Sequence, residues 1–460
     1  MPSVILAGIM IAALSAGCAS GRSDGAQGEV TPTSASGDAA TGFGDLPTPC
    51  GPASGSNQAT GDQGVTADSV TIGYGDDAGY QAQPGFDHEM SDAVVAMINW
   101  CNQQGGIQGR KVVGQYYDAK ILEAANVMSE ACSTVFMLVG EGFGLDNAAE
   151  QIRLSCNLPA VPGFTASAAT SMAPLMHQAV PNPIDYQTTQ AAWALAEAFP
   201  DKVKAAAAVV PNGIPSSIDA KDKMEASYPS AGFKFIGCDQ TYQIAGESDW
   251  KPFAQRLKDC GAGAVYFNGG ENNFENLLDA SKQIGFAPIW MVEPVFYTDT
   301  FRAWNASGNA DSVYVRNSFA PLDDPTPGSA TATYVDLVTS NGGDISELGA
   351  QAASSFLLWA TAANECGANL TRACVMEQLA GVHEWTGGGL HVPTDPGANK
   401  PSHCGNVLKL DGTTWKVWSP TQGYADCNEK YLFKIETPVP GQIPLLLNAD
   451  RIAQQYQAQG

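Results

Sequence analysis

From Asp68 onward, short runs of β-branched and aromatic residues alternate with longer stretches of helical period, and the alternation comes in two series. The first series reads strand 70–74, helix 86–101, strand 111–117, helix 123–132, strand 135–139, helix 146–156 and strand 160–161. Pro181-Asn182-Pro183 interrupts it. The second reads helix 186–199, strand 205–210, helix 217–228, strand 233–238, helix 250–258, strand 264–268, helix 274–284 and strand 289–292. A strand that returns through a helix to another strand makes a parallel crossover, so each series implies a parallel sheet wrapped by helices. The expectation is an α/β protein of two doubly wound lobes. A strand at 313–316, helices at 331–339 and 348–365 and a β-rich tail containing 407–418 follow.

The segment NQQGGIQGRKVVGQYYD, residues 102–118, has the glycine density of a phosphate-binding loop. Its direction argues against that. Phosphate loops sit where a strand enters a helix, because free N–H groups and the positive end of the helix dipole face the anion there. Here the chain runs from helix into strand, so Gly105, Gly106 and Gly109 fall at a helix C-terminus, where glycine supplies left-handed backbone angles. The loop with the right direction is Gly73-Tyr74-Gly75-Asp76-Asp77-Ala78-Gly79, and its two adjacent carboxylates would repel a pyrophosphate. A neutral or amine-bearing ligand suits it better. The net charge of -24, from 47 acidic and 23 basic side chains, also opposes nucleic acid and anionic lipid.

Residues 4–14 (VILAGIMIAAL) form an apolar run of leader length, and Ser15-Ala16-Gly17-Cys18 follows. The segment resembles a bacterial lipoprotein leader, which implies cleavage before Cys18, lipid on Cys18 and a place on the outer face of the cell membrane. The alternative is a secretory leader that is simply discarded. Residues 19–66 are rich in Gly, Ser, Ala, Thr, Pro and Asp and are expected to be a disordered tether. Of the eleven cysteines, ten remain beside Cys18, an even number suited to an exported, disulfide-bonded protein. Short spacings suggest pairing Cys366 with Cys374, Cys238 with Cys260, and Cys404 with Cys427, while the other four can pair in three ways.

The succession VTIGYGDDAG (70–79), INWCNQQGGIQGRKVVGQYYD (98–118), VFMLVGEGF (135–143), LPAVPGFTAS (158–167) and SDWKPFAQRLKDCGAGAVYFNGG (248–270) resembles the type I periplasmic solute-binding proteins of branched-chain amino acid ABC importers, the leucine-binding-protein-like family. The resemblance spans roughly residues 68–392. It implies a Venus-flytrap fold: two lobes joined by three crossover segments, with a small solute clamped between them. The expected organisation is leader 1–18, tether 19–66, first lobe 67–181, second lobe 182–318, return to the first lobe 319–386, and 387–460 for the last crossing, completion of the second lobe and a β-rich extension.

Open α/β sheets bind ligands outside the C-terminal ends of their strands, which selects the strand-to-helix loops. In the first lobe these offer Asp77, Gly79 and Tyr80, then Gly142 and Phe143, then Thr165 and Ser167. The resemblance implies that Thr165 and Ser167 hold a ligand carboxylate, although both also suit helix capping. The loop Glu141-Gly142-Phe143-Gly144-Leu145 replaces a serine-rich segment of the family and keeps only backbone donors. In the second lobe the candidates are Asn212, Asn268, Gly269 and Glu293. Glu293 matches the family position that receives a ligand's ammonium, with Phe296 and Tyr297 as an apolar wall.

No HExxH, GxSxG or CxxC occurs, and the five histidines form no metal spacing, so no enzyme activity, metal or cofactor is expected. His391 is read as a hinge residue. The implied partners are an amino acid or related small carboxylate and an ABC permease with its ATPase, with the membrane touched only through a lipid anchor. A ligand-sensing module coupled to a signalling partner is the alternative role.

Overall fold

The computed structural model describes residues 42–436. Cys18, residues 1–41 and residues 437–460 lie outside that range. The first sheet has the order β2-β1-β3-β4, all parallel, from β1 (Ser69–Asp76), β2 (Lys111–Asp118), β3 (Met137–Val139) and β4 (Ala160–Val161). Helices α1 (His88–Gln103), α2 (Ala124–Thr134) and α3 (Asn147–Ser155) connect these strands, and the short α4 (Ala168–Ser171) follows them.

The second lobe is built on a larger sheet. After β5 (Tyr186–Thr188) and α5 (Gln190–Ala198) come β6 (Ala206–Pro211), α6 (Pro215–Ser227), β7 (Gln240–Tyr242), α7 (Lys251–Asp259), β8 (Ala264–Phe267), α8 (Glu271–Gln283), β9 (Ile289–Val292), α9 (Asp299–Trp304) and β10 (Val313–Asn317). Strands β7-β6-β8-β9-β10 run parallel. The chain then returns to the first lobe, where α10 (Ala330–Ser340) and α11 (Glu347–Glu365) pack on α1, and α12 (Arg372–Ala380) packs on α11. It comes back as β11 (Cys404–Asp411) and β12 (Thr414–Ser419), an antiparallel pair added to β10, with β13 (Asp426–Cys427) on β11 and β14 (Leu432–Lys434) on β5. The second and third crossings lie side by side: Ala320 donates to the Leu390 carbonyl at 2.9 Å and Val392 to the Ser318 carbonyl at 3.0 Å.

Two elements differ from the periodicity. Helix 186–199 is shortened because Tyr186, Gln187 and Thr188 pair with Lys434, Phe433 and Leu432, partners too distant in sequence for a local pattern to register. Strand 233–238 does not form, apart from one bridge between Ala206 and Phe235, because Gly237 turns the chain at a φ of +68° and pairing begins after it at Gln240.

The tether expectation is also corrected where residues 42–66 are described. Phe43 is buried and meets the Trp100 ring edge-on, Cys50 is bonded to Cys101, and Asn57, Thr60 and Gln63 donate to the carbonyls of Gln108, Leu370 and Val135. A disulfide and directed hydrogen bonds hold this polar segment, so its lack of apolar residues is no bar to order. The glycine segment is a helix stop: Gly105 and Gly106 take φ of +109° and +77°, and the amides of both donate back into the last turn of α1. Arg110, the basic residue of this segment, is fully buried and donates to the carbonyls of Thr66, Gly367, Gln58 and Ala368.

Disulfides join Cys238 with Cys260, Cys366 with Cys374 and Cys404 with Cys427; the open set resolves as Cys50–Cys101 and Cys132–Cys156. His391 packs at a tilt against Phe319 at the paired crossings with ring centroids 4.9 Å apart, and its ring is anchored by Ser354 Oγ and the Val392 carbonyl. Burial lowers its pKa to about 4, so it stays neutral there.

Candidate functional site

A cleft of about 260 Å³ opens where the two lobes and the crossing segments meet. Ser216 Oγ donates to the Gly144 carbonyl at 2.8 Å, Ala168 N–H to Asp219 Oδ2 at 2.9 Å and Glu347 N–H to the Tyr297 carbonyl at 3.3 Å, so the lobes touch around it. Much of the wall is apolar, with Phe164 and Leu348 from the first lobe, Ile214 and Met224 from the second, and Val180 and Ile184 from the first crossing. This composition suits a small organic solute with a hydrocarbon portion.

Four of the sequence candidates line this cleft: Thr165, Asn268, Gly269 and Glu293. The Thr165 hydroxyl donates to Gln178 Oε1 at 2.6 Å. Asn268 Nδ2 donates to the Tyr266 hydroxyl at 3.2 Å, and Gly269 takes a φ of +129° against Tyr242, whose hydroxyl a β-carbon would strike. Glu293 is engaged from two sides, since Arg316 ion-pairs with one oxygen and the Tyr266 hydroxyl donates to the other at 3.0 Å. A ligand ammonium at Glu293, the role expected of it, would therefore share the carboxylate with Arg316.

The remaining candidates do not line the cleft. Asp77 is buried and accepts from the amides of Ile121 and Gly144, so it ties two loops of the first lobe together, and burial raises its pKa to about 6. Gly79 donates to Asp118 Oδ1 at 3.1 Å, and Tyr80 follows in the same turn. Gly142 and Phe143 face a separate small space by α2 and α3, where Phe143 is core. Ser167 caps α4, accepting from Thr170 N–H. Asn212 is exposed at the end of β6. Phe296 and Tyr297 are buried in the second lobe's aromatic core, and the cleft meets Pro294 and Val295 instead.

Sequence reasoning passed over the two most telling side chains. Lys223, on α6, lines the cleft while only 5% exposed, and its ammonium donates to Asn182 Oδ1 at 2.7 Å. An ammonium carries three donors. Burial, and next the Arg316 charge, lower its pKa to about 7. Glu347, in the first turn of α11, is 1% exposed; Oε2 accepts from Gln351 at 2.9 Å, and no described residue donates to Oε1. Burial raises its pKa to about 7 against that hydrogen bond. Asp87, at the start of α1, also lines the cleft, and burial together with Asp77, Glu89, Asp76 and Glu271 raises its pKa well above the usual range.

Elsewhere His88, Asp92 and Asp344 gather a ring nitrogen and two carboxylates within 4.8 Å of one another. Burial opposes charge on His88, but Glu89 and Asp344 outweigh it and raise the imidazole to about 9, so an imidazolium ion-paired to acids accounts for the cluster. Among the described residues no helix is long and apolar enough to cross a membrane.

Residues 69–414 match the family described as periplasmic binding protein. No curated protein matches the chain. Among solved structures, the chain is similar to a fatty acid ABC transporter substrate-binding protein from Thermomonospora curvata at 15% identity and a TM-score of 0.66, covering 84% of this chain and 99% of that one. It is similar to a branched-chain amino acid transporter substrate-binding protein from Streptococcus pneumoniae in complex with isoleucine, at 15% identity and a TM-score of 0.63, covering 80% and 100%. A third is an ABC transporter solute-binding protein from R. palustris in complex with 4-hydroxybenzoate, at 16% identity and a TM-score of 0.63, covering 78% and 98%. At these identities the likeness is one of fold, the type I fold of this family.

Proposed function

The chain belongs to the periplasmic binding protein family, whose members bind solutes outside the cytoplasm, and from that premise we propose that it is the solute-capturing component of an ABC importer. It takes a small amino-acid-like carboxylate between its lobes and hands it to a permease driven by an ATPase. The observation that carries this reading is the cleft itself: an apolar wall drawn from both lobes and the first crossing, with charged side chains among it and unspent hydrogen-bonding capacity at Lys223 and Glu347. A solute that touches both lobes stabilises the closed arrangement because those contacts are complete only there.

The named solutes of the similar structures, a fatty acid, isoleucine and 4-hydroxybenzoate, share a carboxylate joined to a hydrocarbon body. A cleft with an apolar wall and a buried amine is suited to that chemistry. In this reading lipid on Cys18 would hold the protein to the outer face of the membrane. No step in the role alters the solute, and the family's members are solute-binding proteins rather than enzymes.

The experiment is calorimetric titration of the full chain with the protein amino acids and their deaminated acids. One-site binding by at least one of them is expected. Absence of binding across the whole panel would refute the amino-acid-like reading, and import that is unchanged when the gene is deleted would refute the transport role.

A further inference from the structure

We propose that Lys223 and Glu347, one from each lobe, are the two poles of the solute site: Lys223 receives the solute's carboxylate and Glu347 its ammonium. This rests on the solute-binding reading above and assigns the chemistry within it. Of the charged side chains that line the cleft, Arg316 and Glu293 neutralise each other in an ion pair. Lys223 and Glu347 have only neutral amides, those of Asn182 and Gln351, as hydrogen-bond partners among the described residues and so lack such a counter-ion. Lys223 gives one donor to Asn182, and Glu347 keeps an oxygen without a donor among the described residues although it is 1% exposed.

A buried donor or acceptor left unpaired costs free energy, and a buried charge without a counter-charge costs more. Both groups register that cost, since burial drives the amine down and the carboxyl up to about 7 each. Both groups line the same cleft as the Arg316–Glu293 ion pair. A zwitterion supplies the missing partner at each end: its carboxylate accepts from the Lys223 ammonium, and its ammonium donates to Glu347 Oε1. The bound solute then links α6 to α11, and so one lobe to the other. An acid without an amine leaves Glu347 unpaired, and an amine without a carboxylate does the same to Lys223. Sites built around a polar partner reject analogues that lack it strongly, by about a hundredfold or more.

The test uses leucine, 4-methylpentanoate, which lacks only its amine, and 3-methylbutylamine, which lacks only its carboxylate, titrated into the full chain. Phenylalanine, 3-phenylpropanoate and 2-phenylethylamine form a second set. Wild type is expected to bind the zwitterion of at least one set about a hundredfold better than either analogue. Glu347→Gln should abolish the preference over the acid while keeping the preference over the amine; Lys223→Met should do the reverse. A purely structural role would weaken all three ligands alike. Lys223→Gln, which keeps a donor to Asn182, guards against misfolding of the methionine variant.

Equal binding of zwitterion and acid by wild type would overturn the assignment and leave solute binding intact. So would an amine preference that survives Glu347→Gln and disappears in Asp87→Asn, because that moves the ammonium to the carboxyl at the start of α1. No binding of any probe overturns this assignment too, and binding of a sugar or other neutral solute instead would show that the cleft captures a different class.

Discussion

Replacing Lys223 by methionine should make the empty protein more stable while it loses its solute. Lys223 is 5% exposed and its amine is lowered from 10.5 to about 7, a displacement of about 3.5 units. Each unit corresponds to about 1.4 kcal/mol, so the charged amine is disfavoured by roughly 5 kcal/mol relative to the unfolded chain, as an upper bound. Methionine fills nearly the same volume with no charge, and it sacrifices the hydrogen bond to Asn182 Oδ1, worth about 1 kcal/mol. A net gain of about 2–4 kcal/mol remains below pH 7. Because the folded pKa is depressed, the lysine's contribution is restored above the unfolded value near 10.5 and lost as pH falls through 7. The advantage of the variant should therefore shrink as pH rises. Chemical denaturation of both proteins at pH 6.5 and 9.5 reads this directly. A variant less stable at both values, or an advantage that does not shrink with pH, would refute the idea that Lys223 is a strained amine held for a ligand.

Other perturbations read other parts of the account. Serine at both Cys50 and Cys101 opens a loop of 51 residues and should lower stability by up to about 4 kcal/mol, with residues 42–66 becoming protease-sensitive, as limited proteolysis would reveal. Glu293→Gln strips Arg316 of its counter-ion; with the two side chains 31% and 20% exposed, a loss of about 1–2 kcal/mol is expected in chemical denaturation. Burial raises Glu141 and Glu271 to about 8 and Glu347 to about 7, all above the unfolded value of 4.5, so their protonated forms are favoured by folding. That stability is complete below pH 4.5 and lost as pH rises through 7 to 8, so the three carboxyls together should make the melting temperature higher at pH 5.5 than at pH 8, with His391 below 6.5 and Lys223 as pH falls toward 7 working in the opposite sense.

Much of the scaffold was legible because its information is local. Helical period and β-branched runs locate α1, α2, α3, α6, α7 and α8 and most strands of both sheets, and the direction of the glycine segment was enough to deny it a nucleotide. Where a partner lies hundreds of residues away the pattern is silent, as at Tyr186–Thr188, whose strand character comes from Leu432–Lys434. The site was legible only as a region. Strand-to-helix loops led to Thr165, Asn268, Gly269 and Glu293 on the cleft wall, yet the engagement of Glu293 by Arg316 depends on two neighbouring strands, β9 and β10, that only the folded sheet brings together. Lys223 was overlooked because SSIDAKDKMEAS looks like a solvent-facing helix. A signal was present even so: Ser216, Ser217, Met224 and Ser227 mark the buried face of α6, and Lys223 falls on it. Glu347 gave less warning, since an acid in a first helical turn is ordinarily explained by the helix dipole.

The most direct test of solute capture between the lobes is hydrogen exchange on the full chain, with and without whichever amino acid binds in the titration. Simultaneous slowing is expected at the start of α6, the first turn of α11 and the first crossing around residues 180–188. Slowing confined to one lobe, or located away from these three segments, would contradict capture between the lobes.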